Sequence, residues 1–254
     1  MPHTLLLFAA SAVLVAGCAE KKAPETPPTE IKQTAPTPER APSTAPTPTD
    51  QTPSTPVPDS EGVKSFSALA PSMVPTSVKT KGTVNHAIEW SDKQGRNIVT
   101  FTAIDKKTDG YVTGRRLHIY HDVVDREGSR RLRVVKDGVN ECEFDVHAKI
   151  VKEAIGVTDL DGDGINEVTF AYLTTCTSDV SPQTLKLLLM EDGAKYIIRG
   201  TNRIHMGEGQ LDGGEKKVDP TVTKGPPAFA RHLDMLWNRV VGPWSPQGVL
   251  EKKR

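Results

Sequence analysis

The chain has 254 residues, in which 32 Lys and Arg are balanced by 32 Asp and Glu. A formal charge of zero supplies no long-range field to draw in nucleic acid or an anionic surface, so a nucleic-acid partner is disfavoured. Residues 61–254 are long enough to form one domain with a substantial core, whereas the Pro- and Thr-rich stretch before them is too poor in large apolar side chains to contribute to it.

In chain order, the first feature is the apolar run 5–17, where Ser11 is the only polar residue and no residue is charged. Its length suits a signal-peptide h-region and is too short for a spanning helix. The run closes on Leu14, Val15, Ala16, Gly17 and Cys18, which resembles the lipobox of bacterial lipoproteins, although the n-region 1–4 has no Lys or Arg. The resemblance implies removal of residues 1–17 as a signal peptide and lipidation of Cys18. Two or more acyl chains, at about 0.8 kcal/mol per buried methylene, would then anchor the protein to a bacterial membrane. Ala19 follows the cysteine where an aspartate would disfavour sorting to the outer membrane, so the expected location is the outer membrane, facing the periplasm or the cell surface.

Residues 18–60 read as a disordered tether. Ala-Pro-Thr and Pro-Thr-Pro units recur at 35–37, 41–44 and 45–49, favouring polyproline II. Such a spacer reaches on the order of 100 Å when extended.

Beyond the tether, period-two alternation dominates. It predicts strands over 83–90, 97–104, 116–124, 131–135, 142–150, 167–173, 185–190 and 195–200. In 142–150, Cys142, Phe144, Val146, Ala148 and Ile150 form one face. Turn signals at 92–95, 136–138 and 191–193 predict antiparallel hairpins. Residues 227–241 place Phe229, Leu233, Leu236, Trp237 and Val240 at helical spacing, with Pro226 and Pro227 before them and Gly242 after. The expected fold is mainly β: an antiparallel sheet or sandwich built of hairpins, with one C-terminal amphipathic helix. The glycine-rich segment 207–214 reads as a connection or a contact surface.

Between two predicted strands lies the sharpest chemical motif, with Asp159, Asp161 and Asp163 at positions one, three and five, Gly162 and Gly164 between them, and Ile165 and Glu167 at seven and nine. Hard oxygen donors at this spacing suit calcium, with the Ile165 carbonyl as one ligand. Position twelve of an EF-hand would be a bidentate Glu, and here it is Phe170. The motif is similar instead to the inter-strand loops of integrin-type propeller blades, in a single copy. The alternative is an Asx-rich turn whose carboxylates bond only backbone N–H groups.

Once Cys18 is acylated, Cys142 and Cys176 remain as an even pair, consistent with a disulfide in an oxidising space; two free thiols are the alternative. There is no Cys-x-x-Cys to suggest a redox pair.

A wider resemblance rests on residues 158–164, Glu167 to Tyr172, Cys176, Ser178 to Pro182, Leu185 to Leu187 and Lys195 to Gly200. These are similar to a family of bacterial lipoproteins catalogued as surface polysaccharide biosynthesis proteins. The resemblance implies a role in making or exporting a surface glycan and carries over no catalytic residue.

The chain contains no Gly-x-Ser-x-Gly elbow around Ser178 or Ser181 and no His-x-x-x-His zinc pair. His118 and His121 fall on opposite faces of one strand, and His147 alternates outward beside Asp145. The favoured function is therefore a noncatalytic lipoprotein that binds a glycan or an envelope protein; aromatics are sparse, and Trp90 and Trp244 are the candidate sugar-stacking platforms, with Trp90, at a strand end, more commonly a core residue. The alternative is a calcium-dependent glycan-processing enzyme using exposed carboxylates such as Glu143, Asp145 or Asp179.

Overall fold

The computed structural model describes residues 66–245 and 250–251. The segments expected to be a signal peptide and tether, with Cys18 between them, lie outside the described residues. Sheet one contains β1 (Ser67–Ala68), β2 (Thr83–Asp92), β3 (Gly95–Thr108), β4 (Tyr111–Val124) and β5 (Ser129–Val139), hydrogen-bonded in that order. Sheet two contains β6 (Asp145–Thr158), β7 (Glu167–Thr177), β8 (Thr184–Glu191) and β9 (Ala194–Thr201) as a meander. A small hairpin, β10 (Arg203–Gly207) with β11 (Gln210–Gly213), follows, and β12 (Lys216–Val218) then joins the β9 edge. All strand pairs are antiparallel. The chain closes with the short helix α1 (Pro220–Lys224) and with α2 (Pro227–Val240).

Alternation turns one face of each sheet toward the other. Ile88, Val99, Phe101 and Ile119 of sheet one share a core with Val168, Phe170, Leu188 and Ile197 of sheet two. Phe101 and Phe170 meet edge to face at 5.6 Å across it. The opposite face of sheet two, with Leu185, Leu187 and Leu189, is covered by Phe229, Leu233, Leu236, Trp237 and Val240 of α2. These five are the buried residues of the helix, as the helical spacing predicts. Strand β7, covered on both faces, is buried from Glu167 through Thr174. The outer face of sheet one is covered in part by the segment leading into β2, whose Leu69, Val74 and Val78 pack with Ala87 and Ile98.

Three sequence expectations need correction. The expected turn at 136–138 lies inside β5, where Gly138 pairs with Arg116. Gly138 is needed there for close approach: at φ 147°, a Cβ would stand 2.2 Å from the Arg115 carbonyl oxygen. The strand expected over 142–150 begins instead at Asp145 and runs on to Thr158, with Cys142 before it and Phe144 exposed to solvent. A register shift between Val151 and Gly156 then exchanges its faces, so Ala148 and Val157 face sheet one while Val151 and Ala154 face α2. The segment 207–214 is the turn and second strand of the β10–β11 hairpin, with Glu208 and Gly209 both at positive φ.

Candidate metal centre

The acidic run occupies the β6–β7 connection. Asp159 Oδ1 accepts from Gly162 N at 2.8 Å and Asp159 Oδ2 from Gly164 N at 3.0 Å. Asp161 Oδ1 accepts from Asp163 N, and Asp163 Oδ1 accepts from the N–H of the half-buried Ile165 at 2.7 Å. The chain winds around its own carboxylates, and Gly162 and Gly164, both at positive φ, provide the backbone for it.

The β2–β3 turn braces this loop from sheet one. Asp92 Oδ2 accepts from Asn166 N at 3.1 Å and from the Trp90 indole N–H at 3.0 Å. Lys93 N donates to the Gly164 carbonyl at 3.0 Å, and Lys93 Nζ donates to the Asp163 carbonyl.

Glu167 opens β7 below the loop, 1% exposed, with Oε2 accepting from Leu160 N at 2.7 Å. Carboxylate oxygens of Asp159, Asp161 and Glu167 lie within 4.8 Å of one another, and so do those of Asp161, Asp163 and Glu191. The loop therefore brings four of its five expected ligands into two overlapping acidic groups, and Glu191 joins them from β8. Glu191 was not picked out from sequence. Val168 pairs with Met190, so Glu167 and Glu191 stand one step further along adjacent strands. A register worked out across the β7–β8 pair would have found it.

Burial, and then the neighbouring Glu191 carboxyl, push the Glu167 carboxyl well above the usual range. Burial, together with the charges of Asp161 and Asp163, raises that of Glu191 as well. Glu167 Oε1 and Glu191 Oε1 are buried without an N–H or hydroxyl donor, and the two carboxyls lie within hydrogen-bonding reach of each other, an arrangement that either a shared proton or a cation satisfies. The backbone N–H bonds satisfy an Asx-rich turn, yet they leave the buried Glu167–Glu191 pair to a proton or a cation. Since a carboxylate has about four lone-pair sites, the hydrogen-bonded aspartates keep capacity for a cation. The acidic groups could thus hold a metal ion.

The Cys142–Cys176 disulfide forms with a Cα–Cα distance of 5.7 Å. Cys142 N donates to the Thr113 carbonyl of β4, so the bridge ties the β5–β6 connection, seated on sheet one, to β7 of sheet two.

Other expected sites are placed differently. Trp90 and Trp244 are 5% and 3% exposed and belong to the two main cores, so neither offers a sugar a stacking face. His118 and His121 do lie on opposite faces, bonded to Tyr120 and Asn97. His147 is exposed, and His205 bonds Glu251 at 3.1 Å. Glu143, Asp145 and Asp179 are exposed on or near the β6–β7 end that carries the disulfide. Hydrogen bonds from Ser181 and Thr177 hold the Asp179 carboxyl below its ordinary range, the reverse of what a general acid needs.

Fold and site together define a β-sandwich with a helix on one outer face and an acidic loop suited to a cation at a strand connection. No protein-family model, curated protein or solved structure matches the chain. Among the described residues no helix is long and apolar enough to cross a membrane.

Proposed function

We propose that this protein is a lipoprotein of the bacterial envelope, anchored through Cys18 and facing the periplasm or cell surface, whose β-sandwich has a noncatalytic binding or accessory role. The anchor rests on the run Leu14 to Cys18, and the observation that carries the accessory ion is the convergence of Asp159, Asp161, Asp163, Glu167 and Glu191 at one strand connection. Calcium is the cation we assign to it: the donors are hard oxygens and several are carboxylates, and calcium accepts six to eight such ligands in flexible geometry. The Ile165 carbonyl would add one more. An extracytoplasmic space supplies calcium and also favours the Cys142–Cys176 bridge. The resemblance to surface polysaccharide biosynthesis lipoproteins makes a surface glycan, or an envelope protein handling one, the proposed partner.

The ion's role in this proposal is structural. It neutralises the acidic cluster and joins the β6–β7 loop to the β8 end. Melting the full chain in calcium and in chelator tests this. Saturating calcium, at about 100 times its Kd, should add about 2.7 kcal/mol and raise Tm. Asp161→Asn, which touches both acidic groups, should remove most of that gain. An unchanged transition in calcium would reject the site. Calcium-dependent retention on a glycan array without release of product would support a binding role.

A further inference from the structure

The backbones of the two sheets approach mainly where β4 and β5 lie against β6 and β7. On the inner face of β8 and β9, Leu188 and Ile197 are buried while Lys186, Lys195 and Arg199 stay half-buried. Leu188 and Ile197 face the shared core, so alternation turns Lys186 of β8 and Lys195 and Arg199 of β9 to the same side. With Asp137 of β5 and Tyr172 of β7, these cations line a cleft of about 350 Å³.

Part of this charge is matched internally. Asp137 Oδ2 accepts from Lys186 Nζ at 2.5 Å and from the Tyr172 hydroxyl at 2.7 Å, while Arg199 donates to Asp219 Oδ2 at 2.7 Å. Lys195 has no carboxylate at ion-pairing distance among the described residues. Loss of water, followed by the charges of Arg133 and Arg199, holds its ammonium below the ordinary lysine range. Lys186 and Arg199 each use one donor in the bonds above and keep others, since an ammonium has three and a guanidinium five. Cations gathered in one recess, with spare donors, are complemented by an oxyanion.

We propose that this cleft binds a small oxyanion, a phosphate or carboxylate group, with Lys195 as the principal charge and Lys186 and Arg199 as supporting donors. The site shares no residue with the acidic loop. It gives a ligand class to the binding role proposed above and rests on that role only for its setting.

Amide spectra of the full chain, titrated at constant ionic strength with inorganic phosphate and separately with acetate, provide the test. Saturable shifts should centre on Tyr172, Lys186, Lys195 and Arg199. Lys195→Gln should weaken the apparent affinity about tenfold or more, whereas Lys107→Gln, at an exposed position on β3, should leave it unchanged. Saturation by phosphate alone assigns a phosphate ligand, and saturation by acetate alone a carboxylate. Shifts that never saturate or that spread over all surface lysines, or a Lys195→Gln titration equal to that of the native chain, would overturn the proposal. Calcium stabilisation without anion binding would remove the cleft alone, and anion binding without calcium stabilisation would remove the metal site alone.

Discussion

His121 shows how one side chain couples the core to pH. It is 1% exposed, its ring lies against Trp90, its Nε2 is 2.9 Å from Asn97 Oδ1, and its Nδ1 is buried without a partner. Burial disfavours the imidazolium and lowers the pKa to about 4, against the weaker opposing pull of Asp92 and Asp192. The folded state therefore prefers neutral imidazole. Its stabilising effect is present above the unfolded value near 6.5 and is lost as pH falls toward 4, amounting to about 3 kcal/mol over that interval. His121→Gln should flatten the fall in Tm between pH 7 and pH 4 relative to the native chain, and equal slopes would refute this account. At this scale the Asp159 loop was legible because its carboxylates are close in sequence. Glu191 and Lys195 were not, because strand register and sheet packing bring them to their sites.

Among the elements, α2 was read from sequence most completely, since a 3.6-residue period places five apolar side chains on one stripe whatever the helix packs against. Their partners are Leu185, Leu187 and Leu189 on the outer face of sheet two. Leu233→Ala should therefore cost about 2–5 kcal/mol, measured by denaturant unfolding. A change below about 0.5 kcal/mol, the usual range for surface substitutions, would mean that the helix does not pack there. Strand β6 was legible only in part. Its period-two pattern survives as far as Val151, and the register shift then moves the next apolar residues to the other face. The Asp137–Gly138 pair shows the converse, a sequence that suggests a turn yet still pairs near the C-terminal end of β5, because the glycine permits close approach to Arg115.

For the whole molecule, the proposed anchor is the feature with the largest consequence. Cys18→Ser should shift the protein from the membrane to the soluble fraction and abolish incorporation of labelled palmitate; retention of either would reject lipidation at that residue. The sequence by itself determined the mainly β class, the C-terminal helix, the cysteines available for pairing and the acidic loop. Each of these rests on a local period, a short spacing or an even count. Tertiary structure decided which faces of the strands meet, that Trp90 and Trp244 are core, that Glu191 completes the acidic cluster and that Lys186, Lys195 and Arg199 share a cleft. The reason is physical: alternation records that a strand has two faces, but only pairing and layer packing determine which face is buried and which distant charges must share a site.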